Sequence, residues 1–160
     1  MPRSSDFPLT DAELTFLREL TRAGSRFVVV GVGAAVLQGA DAVTQDLDLW
    51  VPSLADPAIA EAARAAGGVF AWRASPPMIA GDDLDRIDIV SRCDGLRSFD
   101  VEYAKALELP LDDFSVKILP LDRVIASKRA AGRPKDLAVL EALNAALAAT
   151  RPRRRTRKRR

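Results

Sequence analysis

The feature that most constrains this chain is the period-two alternation in Asp46-Leu47-Asp48-Leu49-Trp50, within the run TQDLDLW at Thr44–Trp50. Alternation at a period of two is the signature of a strand buried on one face only. It predicts a strand over Asp46–Val51, extending back to Thr44 in its widest reading, with Leu47 and Leu49 in the core and Pro52 ending it. Asp46 and Asp48 then project together from the other face, about 6 to 7 Å apart along the chain.

The surrounding elements follow from similar local signals. Thr10-Asp-Ala-Glu13 is a capping box that opens a helix to about Ala23, with Leu14, Leu17 and Leu20 at helical spacing. Phe27–Val30 is a short β-branched run suited to a buried strand, broken by Gly31-Val32-Gly33, after which Ala34–Gln38 reads as a short helix. A helix is expected over Pro57–Ala66 and a strand over Val69–Arg73, with Ser75-Pro-Pro77 as loop. Arg86–Val90 alternates again, placing Ile87 and Ile89 on one face and Asp88 on the other. Phe99–Leu107 fits helix or loop, Ser115–Leu119 a strand, Leu121–Ala131 a helix, and Lys135–Thr150 a last helix after the break at Gly132-Arg-Pro134. Strands interleaved with helices imply an α/β or α+β fold, a mixed central sheet flanked by helices.

Composition sets outer bounds. A chain of 160 residues, 48% hydrophobic, can build one domain with a real core, here residues 1–150. No run approaches the roughly 20 apolar residues of a membrane span, and no signal-peptide core is visible, so a soluble cytoplasmic protein with no membrane partner is expected. The single Cys93 suits a reducing compartment. There is no histidine, which excludes imidazole metal sites and histidine general bases. The last ten residues, RPRRRTRKRR, carry eight of the 24 Lys and Arg and no acid; removing them leaves 16 basic against 22 acidic residues. Arg151–Arg160 therefore reads as a disordered basic tail, suited either to RNA phosphates or to solvent alone.

Two like charges on one strand face invite a compensating cation. A site of oxygen ligands alone fits magnesium or manganese, which take carboxylates, water and phosphate. Alternating aspartates on a solvated edge strand would look the same. Glycines at Gly31 and Gly33 would let backbone amides approach an anion at a helix start, or would simply make a tight turn. Asp88 sits between two isoleucines and would face the same cleft if its strand neighbours the first; Asp85 lies off that face. Trp50, Trp72 and Tyr103 offer rings for stacking, though packing accounts for each equally well.

Taken together, VVVGVGAAVLQG, TQDLDLWV, RIDIVS and LDRVIASKRAAGRPKDLAVLEAL resemble the DNA polymerase beta-type nucleotidyltransferase superfamily over about Phe27–Leu143. They are most similar to its small bacterial branch of AbiEii-like toxin-antitoxin proteins. That resemblance implies transfer of a nucleoside monophosphate from an NTP to an acceptor hydroxyl on tRNA, protein or a small molecule. It makes Asp46, Asp48 and Asp88 the catalytic carboxylates and the ligands of Mg2+ or Mn2+. Gly31, Val32 and Gly33 become the triphosphate turn, with Thr44, Lys128 and Asp136 near the nucleotide and a cognate toxin or antitoxin as partner. Two positions depart from the pattern: Val32 stands where a second Gly or Ser is usual, and Ala42 where an Arg is common. These departures keep open a different expectation, a nucleotide- or partner-binding module of the same fold that does not turn over. A binder of nucleic acid acting mainly through the tail is a third.

Overall fold

The computed structural model describes residues 8–151, so the expected disorder of the basic tail lies, beyond Arg151, outside the described residues. Seven strands form one mixed sheet. They are β1 (Val28–Val30), β2 (Leu47–Trp50), β3 (Val69–Ala71), β4 (Met78–Ala80), β5 (Ile87–Val90), β6 (Leu107–Leu111) and β7 (Phe114–Ile118). Their order across the sheet is β3-β4-β5-β2-β1-β7-β6, which places the aspartate strand β2 at the centre. β2 runs antiparallel to β1 and parallel to β5. The helices are α1 (Asp11–Arg22), α2 (Gly31–Leu37), α3 (Pro57–Ala65), α4 (Phe99–Lys105), α5 (Leu121–Ala131), α6 (Pro134–Ala138) and α7 (Leu140–Thr150). α1 packs on α3, while α5 packs on α2, α6 and α7. The expected α/β class is the observed one.

The period-two pattern explains how the centre of the sheet is divided. Leu47, Leu49, Ile87 and Ile89 are essentially fully buried, while Asp48 and Asp88 between them are only partly so. Each buried leucine or isoleucine contributes roughly 1.5–3 kcal/mol of apolar burial, which fixes the register. A slip by one residue would put the aspartates in the core.

Two buried ion pairs brace the elements, one from helix to sheet and one from helix to helix. Glu13, fully buried, accepts from Thr10 N (2.9 Å) in the predicted capping box and also pairs through both oxygens with Arg86, the residue before β5. Arg86 O in turn accepts from Leu47 N (2.8 Å), so α1 braces the start of both aspartate strands. Glu102 of α4 is equally buried and pairs with Arg123 of α5 at 2.5 and 3.0 Å.

Several boundaries differ from expectation. β2 starts at Leu47, leaving Thr44 and Asp46 in the preceding loop. The reason is that β1 pairs with β2 only as far as Val30↔Asp48, after which the chain turns at Gly31 into α2 and no partner remains beside Asp46. α2 begins at Gly31 itself, so Gly31-Val32-Gly33 is the helix's first turn rather than a separate loop before it. The expected last helix is interrupted at Val139 into α6 and α7, with no glycine or proline at the break to announce it. β4 and β6 were not expected; β6 includes Pro110, which is tolerated because β6 is an edge strand.

Candidate active site

Asp48 and Asp88 are register partners on the parallel pair β2–β5. Residues paired this way lie side by side and project from the same face, so the sheet itself sets the two carboxylates next to each other. Asp46 lies in the loop before β2, and its charge acts on both. Its backbone N–H donates to Thr44 Oγ1 (3.1 Å) and Thr44 Oγ1 donates back to Asp46 O (3.3 Å), so Thr44 braces the loop that presents Asp46. Asp46 is exposed, Asp48 and Asp88 half-buried.

The charges register this proximity. Burial, then the neighbouring Asp88 and Asp46 charges, push the Asp48 carboxyl up to about 6, against the opposing pull of Lys128 and Lys135. Burial and Asp46 likewise raise Asp88 above the ordinary carboxylate range. Acids so placed ionise at a cost that a cation would remove.

Gly31 lies against this cluster. Its φ of +71° belongs to the left-handed region, and a Cβ there would come 2.5 Å from Asp48 Oδ2. Both the backbone conformation and the close approach require glycine. Gly33 is buried in the next position but one, and Val32 packs its side chain partly against the core. Ala42 does the same.

Cations come from α5 and α6. Lys128 Nζ donates to Asp136 Oδ1 (3.2 Å), and Arg133 donates to Asp136 Oδ2 from Nε (2.6 Å) and to Oδ1 from Nη2 (3.2 Å). Asp136 is only 1% exposed. Burial opposes its ionisation, but the hydrogen bonds from Arg133 and Lys128 outweigh that and hold its carboxyl below the usual range. Asp136 is therefore an anchor that sets Lys128 in place, with Arg133 as its second partner. Lys135, one residue before it, was not singled out in the sequence; its charge reaches Asp48 as that of Lys128 does. Its place inside the Arg133-Pro-Lys-Asp136 segment was the available signal.

The aromatic candidates separate. Trp50 is buried, with its ring edge-on to Phe99 at 5.3 Å, and Tyr103 stacks on Phe99 at 5.4 Å. Trp72 is 58% exposed and is covered by Arg73, away from the aspartates in the sheet order. Asp85 is exposed off the Asp88 face. Cys93, just past β5, is pushed up to about 12 by burial and then by Asp48, Asp94 and Glu102, which disfavours its thiolate.

The donor set fits a divalent cation that shares its coordination with phosphate. Among the described residues no group of three or more Asp, Glu or Cys is arranged to hold a metal by itself. Magnesium is ordinarily held by one or two carboxylates together with substrate phosphates and water. The adjacent Asp48 and Asp88, both raised by burial and then by neighbouring carboxylates, match that requirement, with Asp46 on the loop before β2.

Comparison with known proteins supports the fold. No protein-family model matches the sequence, and no curated protein matches it. Among solved structures, the chain is similar to a nucleotidyltransferase, ANT(2")-Ia, determined in complex with adenylyl-2"-tobramycin. The TM-score is 0.55 at 15% identity, over 85% of this chain and 87% of that one.

Proposed function

We propose that this protein is a metal-dependent nucleotidyltransferase that moves a nucleoside monophosphate from an NTP to an acceptor hydroxyl. The observation that carries the proposal is the in-register pairing of Asp48 with Asp88 beside Gly31, in a sheet similar to that of a nucleotidyltransferase. Asp46, Asp48 and Asp88 would hold Mg2+ or Mn2+. When bound, the cation neutralises negative charge on the triphosphate and the reacting phosphoryl group. Gly31 leaves room for phosphate where a side chain would intrude. Lys128, fixed by Asp136, and Lys135 add positive charge facing the carboxylates. Asp88 accepts the proton of the acceptor hydroxyl as that oxygen bonds to the α-phosphorus; the bond from that phosphorus to pyrophosphate breaks, and pyrophosphate leaves with its electron pair. Thr44 holds Asp46 in reach.

An AbiEii-like toxin-antitoxin setting, with a cognate protein partner and with RNA contacts through Arg151–Arg160, belongs to the same proposal and rests on the sequence resemblance. A second reading, a module that holds nucleotide without turnover, draws on the absence among the described residues of a gathered three-acid group.

The test is label transfer. The protein is incubated with Mg2+, each α-labelled NTP, and bacterial RNA and protein extracts. Transfer that disappears in Asp46→Ala and Asp48→Ala is expected; nucleotide binding without transfer to any acceptor would establish the second reading instead. Removing residues 152–160 is expected to weaken RNA binding at low salt while leaving NTP binding unchanged.

A further inference from the structure

A pocket of about 450 Å³ opens beyond the C-terminal ends of β2 and β5, lined among others by Arg26, Trp50, Ser91, Arg92, Arg97 and Ser98. Its lining holds none of the three carboxylates, and the way back to them runs along β2. Strand alternation puts Trp50 on the same face as Asp48, about 7 Å further along β2. The thiol of Cys93, also in the pocket wall, is raised first by burial and then by the charge of Asp48.

The lining is rich in donors. Arg26 is already committed: it bonds Asp100 at 2.6 Å and lies over the Phe99 and Tyr103 rings. The guanidiniums of Arg92 and Arg97 are exposed and form no ion pair among the described residues. Trp50, 3% exposed, has an Nε1 that is buried without a hydrogen-bond partner among the described residues. Buried donors are rarely left so. Against these donors the lining sets a single carboxylate, Asp100, which Arg26 occupies. Such a wall repels an ammonium-rich acceptor and receives an oxyanion, for which two planar guanidinium forks are well shaped.

We infer that this pocket, between Arg92, Arg97 and Trp50, receives a phosphate carried by the acceptor, so that the molecule modified is a phosphorylated one rather than an amine-rich sugar. The inference rests on the transferase reading and names its acceptor class. The acceptor's phosphate is held at the arginines, and its hydroxyl reaches back toward Asp88.

The test uses the full chain with Mg2+ and a non-hydrolysable ATP analogue at saturation, so that phosphate probes meet an occupied NTP site. Ribose 5-phosphate and a tetraribonucleotide are titrated calorimetrically into the wild type, Arg92→Gln/Arg97→Gln, and a charge-matched control, Arg64→Gln/Arg73→Gln. The pocket pair is expected to bind both probes about tenfold or more weakly, while the control pair and the ATP-analogue affinity change less than about twofold. Equal affinity for the two probes assigns a small phosphorylated acceptor, and clear preference for the tetranucleotide assigns an RNA end. Probe affinity that is unchanged in the pocket pair, that falls equally in the control pair, or that is absent in the wild type overturns the inference. So does tighter binding of tobramycin than of either probe. A wild type that binds the phosphate probes without taking up the ATP analogue overturns the transferase reading while leaving the phosphate pocket standing.

Discussion

Gly31 and Asp48 illustrate how one residue's chemistry restricts another's. A methyl at position 31 would meet Asp48 Oδ2 at 2.5 Å and hold a φ of +71° that alanine disfavours. Gly31→Ala is therefore expected to cost about 1–3 kcal/mol in chemical denaturation and to weaken NTP binding, because the carboxylate must move. Asp48 makes the opposite prediction. A carboxyl whose folded-state pKa lies above its unfolded value favours the folded state only while protonated. Its contribution is thus intact below 3.8 and lost as pH rises through about 6. Without divalent cation, Asp48→Asn should stabilise the protein at pH 8 by roughly 1–3 kcal/mol, with about half that gain at pH 5 and almost none at pH 3. Equal stability of the two proteins at pH 8 would show that Asp48 is not under the strain its surroundings imply.

Elements whose signals were local could be read from the sequence, and those set by partners could not. The capping box of α1, the buried run of β1 and the alternations of β2 and β5 all declare themselves in a few residues. The adjacency of β2 and β5, on which the site depends, is a matter of strand order that alternation alone leaves open. Where β2 begins is decided by β1 turning away at Gly31, a tertiary fact. β6 was hidden because Pro110 speaks against a strand unless an edge is known to be available. Lys135 went unnoticed because its significance comes from the way α6 is latched onto α5. That latch is Asp136, buried between Lys128 and Arg133. Asp136→Ala leaves the partly buried Lys128 without its counter-charge, and a loss of about 3 kcal/mol is expected. NTP affinity should fall with it, since Lys128 loses its anchor. Unchanged NTP affinity in a folded Asp136→Ala protein would detach this latch from the site.

At the scale of the whole molecule, the sheet is built so that its most central strand carries the charge. Hydrophobic burial on one face of β2 and β5 fixes the register, and that register holds two carboxylates together on the other face. The stability of the fold is in this way spent against a local repulsion that a bound cation would relieve. Manganese provides the direct measurement of that claim, since its electron paramagnetic signal reports the free ion. In the presence of a non-hydrolysable NTP the wild type should take up Mn2+, and Asp48→Asn and Asp88→Asn should each weaken uptake about tenfold or more. Uptake that is the same in all three proteins, or absent in the wild type, would contradict the account.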